Sequence, residues 1–397
     1  MAAIAAGIFV ATAVFAMAKG ATHFYHRETR LANATLAAMV GFERLQSDIS
    51  RASFLTTPNY ALDPSVCRTG SGWATGSTQL QGIQIGTPIN TYNLQVLNGF
   101  TPQRVTLTGS FGSIEKYAVD RVLLESGVLR VYLDPNSAAI DRTLGPDSGD
   151  LASYEPLEGI FLPGRVLRIV DDAGRQHFGR ITGFDAQPGD PAANPFVSVS
   201  TTNPTITYRP VDPLTPCALS EGDTWTANVV DRISYEIGSL DNVSPPAPGL
   251  PAHLNNPAFK NQQPYNSRDG FDRTDLIRLA YYLDDGGAEY KVANDPDTDE
   301  TREIITEYAV DLRLTPFTRA PGAAIVPQPG ATAQQIQMVR VELGVRSRGA
   351  DSLLGLANDF RFLLRAAPPA GGRSHFARIR WMKSDIVLKN QSNLPWP

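Results

Sequence analysis

The chain has 397 residues, 42% hydrophobic and 19% charged, so it can bury a sizeable core in one large or two modest domains and is neither a disordered tail nor a many-pass membrane protein. Its 35 Lys and Arg against 40 Asp and Glu give a net charge of -5, and the absence of any long basic block disfavours nucleic-acid binding. The 33 Gly and 30 Pro favour short strands joined by turns.

The chain opens with an apolar run that ends at Lys19 and contains no charged side chain. As a helix this run measures about 27 Å, close to the thickness of a bilayer. Ala16-Met17-Ala18 also has the small-x-small pattern of a signal-peptide cleavage site. The run is therefore compatible with a membrane or bundle helix and with a cleaved leader. Both interpretations place the rest of the chain outside the cytoplasm.

A helical pattern continues beyond Lys19, because apolar residues recur on one face at helical spacing and no proline precedes Pro58. We predict one helix from about residue 2 to 54, within a first segment 1–55. The residues expected to contact lipid or neighbouring helices are Ile4, Ile8, Phe9, Val10, Val14 and Phe15. Those expected to pack the amphipathic half on the domain are Phe24, Leu31, Phe42, Leu45 and Ile49, with charged residues such as Arg44 and Asp48 on the outer face.

After Pro58 short apolar runs alternate with turn signals, which predicts strands. The clearest runs are Leu80 to Ile85, Arg104 to Leu107, Val128 to Leu133, Val166 to Val170, Phe196 to Val199 and Ile304 to Leu314. The expected fold class is α+β, a long pilin-like N-terminal helix followed by a large antiparallel β-rich domain over 56–397. Six prolines between Asp241 and Asp269 mark a connection between two lobes, near 241–268, or a long loop.

An apolar helix that runs unbroken into an amphipathic half and then a Gly/Pro-rich β domain resembles the type IV pilin group, and within it the PilW-type minor pilins. Short stretches add to the resemblance: the helix end Phe42 to Ser53, the run Phe161 to Asp172 with Arg165 in place of the family's Asp, and the last strands Val339 to Arg348 and Ile386 to Asn390. The family's mature chain starts Phe-Thr-Leu-Ile-Glu behind a basic leader, a stretch that we expect upstream of Met1.

The resemblance implies a non-enzymatic subunit for type IV pilus assembly, in a priming or tip complex, with roles in motility or adhesion. Its partners would be other minor and major pilins and a tip adhesin, and the inner membrane before assembly. The domain would be periplasmic at first and later on the pilus at the cell surface. Two alternatives remain: a type II secretion pseudopilin, and a secreted β-rich binding protein or enzyme with a cleaved leader.

The two cysteines, Cys67 and Cys217, lie on predicted loops and form an even pair. In an oxidising compartment a bridge between them would close a loop of about 150 residues, which loop entropy favours by about 4 to 5 kcal/mol. The alternative is two unpaired, partly buried thiols. We expect the disulfide if the domain lies outside the cytoplasm.

No arrangement of residues predicts catalysis. His23 and His26 share a helical face but lack a third metal ligand, and no Gly-x-Ser-x-Gly motif occurs. Asp295, Asp297 and Asp299 alternate as in a Ca²⁺ loop, although Glu300 stands where an EF-hand needs Gly. We therefore predict no cofactor and retain these three aspartates as a weak Ca²⁺ candidate.

Overall fold

The computed structural model describes residues 2–68, 79–87, 98–144, 155–186, 194–201, 206–208, 217–219, 225–238, 274–283, 290–292, 302–319, 324–347, 360–365 and 375–391. These ranges contain 18 strands, three α-helices and one 3₁₀ helix. The stretch 241–268, expected to connect two lobes, lies outside them.

The first helix, α1, spans Ala2–Ser50 and is 49 residues long, which corresponds to about 73 Å. Every residue from Ala11 to Thr22 is exposed, and the helix becomes buried from Ala38 onward. Only the last part of α1 therefore packs on the body of the protein.

The strands and remaining helices follow in chain order. The first half contains β1 (Ile83–Gly86), β2 (Arg104–Gly109), β3 (Tyr117–Glu125), β4 (Val128–Leu133), α2 (Ala138–Leu144), α3 (Glu155–Ile160), β5 (Val166–Val170), β6 (Gln176–Asp185), β7 (Phe196–Ser200), β8 (Thr207–Tyr208) and β9 (Ala218–Leu219). The second half contains β10 (Trp225–Gly238), β11 (Asp275–Leu283), β12 (Tyr290–Val292), β13 (Arg302–Thr306), β14 (Ala309–Arg319), β15 (Ile325–Pro327), a 3₁₀ helix (Ala333–Gln335), β16 (Ile336–Arg346), β17 (Arg361–Arg365) and β18 (His375–Val387).

The first half of β10 completes a small closed barrel. Ladders join β10 to β3, β3 to β4, β4 to β7, β7 to β6, β6 to β5, and β5 back to β10. Side chains of the barrel strands form one buried cluster with Ile140 of α2, Leu157 of α3 and Phe161, which follows α3. The two short helices thus pack against the barrel core.

The second half of β10 belongs to a sandwich. It pairs with β2 and β11, and a separate sheet of order β15-β14-β16-β18-β17 lies opposite. Leu107 and Tyr235 from the first sheet share a buried cluster with Val341 and Leu343 from the second and with residues of α1. At 14 residues, β10 is long enough to serve both the barrel and the sandwich.

The chain passes from one sheet to the other between β13 and β14. The sequence predicts a single strand from Ile304 to Leu314, but Tyr308 adopts a φ of 60° and separates two strands that lie in different sheets. Asp275 holds this turn by accepting a hydrogen bond from the Tyr308 N–H at 2.9 Å, and Thr274 donates its hydroxyl to the Ala309 carbonyl. The prediction of one strand was wrong because a distant side chain stabilises the turn.

The predicted fold class, α+β, is also wrong. The described residues form 18 strands against three α-helices and one 3₁₀ helix, so the protein is mostly β, and its large body is an antiparallel β domain. The described helices after α1 have three to seven residues. The physical reason is that strands from the barrel and from two facing sheets cover one another, so layers of helices are not required to bury their apolar faces.

A disulfide between Cys67 and Cys217 joins the loop after α1 to β9, as the sequence led us to expect. The Cα atoms lie 5.1 Å apart, within the usual range for a disulfide. The Cys67 N–H also donates to the Gln176 carbonyl at 2.8 Å, which attaches the same loop to β6. The bridge therefore connects segments 150 residues apart on the outside of the barrel.

We predict that Cys67→Ala combined with Cys217→Ala lowers the free energy of unfolding by about 4 kcal/mol, because the bridge closes a long loop in the unfolded chain. Urea unfolding followed by circular dichroism measures this change. Reducing agent should destabilise the wild type by a similar amount and leave the double variant unaffected. Equal stability of oxidised wild type and variant would contradict the prediction.

A buried carboxylate at the β5–β6 turn makes stability sensitive to acid. Arg175 donates its backbone N–H to Asp171 Oδ1 at 2.7 Å and its Nε–H to Oδ2 at 2.6 Å, and His177 lies 3.7 Å from Oδ2. Burial by itself would raise the pKa of Asp171, but the neighbouring His177 and the hydrogen bonds from Arg175 outweigh it and lower the pKa to about 2. The folded state therefore favours the ionised carboxylate.

We expect Asp171→Asn to cost about 2 kcal/mol of stability at neutral pH. Because the pKa falls on folding, the stabilisation is complete above about pH 4 and disappears toward pH 2. Urea unfolding at several pH values should therefore show the variant and wild type converging in acid. Asp172→Asn, at an exposed neighbour, is the control and should behave as the wild type at every pH.

Candidate functional site

The inner face of α1 fixes the helix to the body. Ala38, Phe42, Leu45 and Ile49 are spaced by four, three and four residues, so they form one stripe, and all four are buried in the sandwich cluster. Burying one such large apolar side chain contributes about 1.5 to 3 kcal/mol. The stripe therefore holds the last turns of the helix firmly between the two sheets.

A glycine on the same side allows the closest approach. A Cβ built on Gly41 would overlap the Thr306 hydroxyl and lie 2.6 Å from the backbone oxygen of Ile305, both in β13. Glycine in a helix interior costs up to about 1 kcal/mol relative to alanine. Here the missing side chain is what lets the helix backbone lie against the strand.

A buried polar group adds a specific lock between α1 and the sheet. Asp48 is 3% exposed and accepts a hydrogen bond from the Tyr235 hydroxyl at 2.6 Å and one from Arg278 Nε–H at 3.1 Å, both on the same carboxylate oxygen. Burial, reinforced by the Asp48 charge, raises the pKa of Tyr235. Tyr235 therefore remains a neutral hydrogen-bond donor. The bonds from Tyr235 of β10 and Arg278 of β11 hold the C-terminal end of α1 in place against these two strands.

The outward position predicted for Asp48 was wrong. Its spacing places it beside Arg44, which is 52% exposed, and nothing in the local sequence separates the two. Asp48 is buried because Tyr235 and Arg278, about 190 and 230 positions away, reach it from two strands. The only sequence signal for these hydrogen bonds was that Asp48, a charged residue, lies within one turn of the apolar stripe.

On a second face α1 carries apolar side chains that the domain leaves exposed, in two described stretches, 14–25 and 36–40. Seven large apolar side chains on this helix are at least half exposed: Val14, Phe15, Met17, Tyr25, Leu36, Met39 and Val40. Phe15 is 72% exposed and Leu36 is 64% exposed, although Leu36 lies only two residues before the buried Ala38. The exposure therefore continues to the point where the helix meets the body.

These side chains share one side of the helix. Val14, Tyr25 and Leu36 are eleven residues apart, which is three turns plus about 20°. At about 100° per residue, the exposed set is centred roughly 130° around the axis from the buried stripe. The helix can therefore bind the domain on one side while presenting an apolar surface, here called the outer stripe, on another.

The structure places some of the predicted helix residues and leaves others outside the described part. Phe42, Leu45 and Ile49 are buried on the body, whereas Val14 and Phe15 are exposed. The side chains expected to pack or to contact lipid that lie outside the described residues are those of Ile4, Ile8, Phe9, Val10, Phe24 and Leu31.

The weak metal candidates receive no structural description. Asp295, Asp297 and Asp299 lie outside the described residues, as do the side chains of His23 and His26. In the described ranges no three His, Cys, Asp or Glu side chains come close enough together to hold a metal ion.

Two further observations bear on the class of protein. In the part of the chain that the structure describes, no helix combines the length and the apolarity that crossing a membrane requires. Comparisons with protein-family models, with curated proteins and with solved structures find no match.

We predict that Asp48→Ala lowers the free energy of unfolding by about 3 kcal/mol, because Arg278 and the Tyr235 hydroxyl lose a buried acceptor. Chemical unfolding of the purified protein measures the change. Glu43→Ala, at an exposed position on the same helix, is the matched control and should stay within about 0.5 kcal/mol of the wild type. Equal effects of the two substitutions would show that the lock does not hold the helix.

Proposed function

We propose that this chain is a minor-pilin-like structural subunit that takes part in type IV pilus assembly through α1. The observation that carries the proposal is the outer stripe, a row of exposed apolar side chains from Val14 to Val40 on a helix fixed to its own domain by a different face. The proposal agrees with the resemblance to PilW-type minor pilins seen in the sequence.

Exposure of this row in water is unfavourable. Each Å² of apolar surface left in water forgoes about 25 cal/mol, and monomeric proteins rarely expose contiguous apolar patches of more than a few hundred Å². Phe15, Met17 and Tyr25, each about 70% exposed, lie on this row. Packing against helices of other subunits would bury them, which supports assembly as the role of the stripe.

The spacing of the outer stripe suits packing between helices. An eleven-residue repeat keeps apolar residues on one side with little drift, so long helices can remain in contact over many turns. Ala11, Ala13, Ala16, Ala18 and Ala21 are interspersed with the larger residues of this segment. Small residues allow close approach of helix backbones, as required in a helical bundle.

The joint between α1 and the body supports a mechanical role. The buried stripe, the Gly41 contact and the Asp48 lock attach the helix to two sheets at once. A subunit held in a filament by its helix would transmit force to its domain through these contacts. We propose no catalytic step for this domain.

The proposed partners are other pilin subunits, minor and major, together with a tip adhesin. Because the β body is far larger than the helix, repeating it along a filament would crowd neighbouring subunits. We therefore place the subunit in a priming or tip complex. The Cys67–Cys217 disulfide supports a location outside the cytoplasm, first at the periplasmic side of the inner membrane and later at the cell surface, since such bridges persist in oxidising compartments.

We expect Leu36→Gln combined with Val40→Gln to reduce the amount of this subunit in sheared filaments at least about tenfold in cells that produce it, because two amides would enter an apolar helix interface. Immunoblots of the sheared and cell-bound fractions measure this. Both positions are exposed, so thermal unfolding of the variant should match the wild type. Lys19→Gln, which replaces a side chain that is already exposed and polar, is the control and should assemble normally.

A cross-linking experiment identifies the contact directly. Leu36→Cys introduces a free thiol into a chain whose own two cysteines are paired. A short bifunctional reagent should join this thiol to a second pilin in the filament fraction. Normal incorporation of the double glutamine variant, together with no cross-link from Leu36→Cys, would overturn the proposed function.

A further inference from the structure

The groove beside β1 is separate from the outer stripe and does not depend on the proposed function. It has a volume of about 600 Å³ and lies where the edge of the first sheet faces the end of β14 and the segment 329–333. Ile83, Leu314 and Ile336, all buried in the sandwich cluster, also line it. The groove is thus a gap between the edges of the two facing sheets.

One wall of the groove is an open strand edge. β1 stands at the end of its sheet and pairs with β2 on one side only. Upstream of β1, a short segment occupies the other side, because Tyr60 N–H donates to Leu80 O at 3.0 Å and Gly82 N–H donates to Pro58 O at 2.8 Å. That pairing ends at Gly82, so the position beside Ile83–Gly86 is open among the described residues.

The register identifies which backbone groups face this opening. Thr108 N–H donates to Gly82 O at 3.0 Å, and Gln84 pairs with Thr106, so the carbonyl of Gly82 and the backbone groups of Gln84 point toward β2. In an antiparallel pair the residues between them point the other way. The N–H and C=O groups of Ile83 and Ile85 therefore face the groove, with no backbone partner among the described residues.

The edge lacks the usual protection against pairing. Natural edge strands are commonly blocked by a lysine, a proline or an inward-pointing charge. β1 reads Ile-Gln-Ile-Gly and has none of these. An approaching strand would meet two donors and two acceptors in regular order.

The chemistry of the lining restricts what can bind. None of the residues that line the groove has an ionisable side chain. The polar groups of the lining are the carboxamides of Asn59, Gln81, Gln84 and Gln103 and the hydroxyls of Thr315 and Thr332. A charged side chain placed here would lose water without gaining a counter-charge, whereas amides and hydroxyls can pair with neutral polar groups.

We propose that this groove binds an extended, uncharged segment of a partner protein by adding it as a strand to the free edge of β1. At about 3.3 Å per residue, the four residues of β1 would pair with four or five residues of the segment. The backbone of Ile83 and Ile85 provides the hydrogen bonds. The neutral lining selects segments without charges.

The probe is a fluorescein-labelled peptide, Val-Thr-Leu-Thr-Val, with both termini blocked. Its first four residues repeat Val105–Thr108 of β2, the chain's own partner for the opposite edge of β1. Fluorescence anisotropy with the full chain measures binding. We expect saturable binding below about 1 mM, and about tenfold weaker binding when both threonines of the peptide are replaced by aspartate.

Two variants at one position test the edge. Ile85→Pro removes the N–H that faces the groove and leaves the bonds to β2 in place, so we expect at least about tenfold weaker binding. Ile85→Ala keeps the N–H while removing more of the side chain, and should bind within about threefold of the wild type. Thermal unfolding checks that both variants fold.

Three results would each overturn the proposal: no binding by the wild type at about 1 mM, equal binding of Ile85→Pro, or equal binding of the aspartate peptide. The filament experiment uses substitutions at Leu36 and Val40 on α1, whereas the peptide experiment uses substitutions at Ile85 on β1. A negative result with the peptide therefore does not contradict the proposed role in pilus assembly, and a negative result with the filaments does not contradict the proposed groove.

Discussion

Burial of the inner face of α1 between two β-sheets is the interaction on which the rest of the structure depends. Leu45 and Ile49 are fully buried in the same cluster as Tyr235 of the first sheet and Leu343 of the second. Without the helix, both sheets would expose apolar side chains to water at their junction. The same packing directs the rest of α1 away from the body and leaves its outer stripe exposed.

The two proposed binding surfaces follow from this arrangement. Val14 to Tyr25 of the outer stripe are exposed because only the last part of α1 packs on the body, and Leu36 to Val40 are exposed because one helix cannot bury its whole circumference against a sandwich. The groove beside β1 lies at the margin of the shared core, to which both Ile83 and Leu314 belong. One surface offers apolar side chains and the other offers backbone hydrogen bonds, so they suit different partners and need not compete.

Sequence reasoning succeeded where local periodicity or turn chemistry decides the structure. The runs at Val128 to Leu133 and Val166 to Val170 are strands β4 and β5 with the predicted bounds. It failed where distant residues decide. The sequence predicts one strand from Ile304 because Tyr308 has no local turn signal, and it predicts the wrong face for Asp48 because the partners of Asp48 lie on β10 and β11. The groove was missed because an open edge is a property of strand order.

The sequence by itself determined the helical stripe over Ala38 to Ile49, most of the short strands and the availability of two cysteines, because these depend on spacing and residue type. Only the tertiary structure decided that the fold is mostly β, that β10 serves two cores, that Cys67 meets Cys217 and that no described strand pairs with the outer edge of β1. Each of these depends on which distant segments become neighbours. That choice is set by the free energy of burying whole faces together, which no local pattern contains.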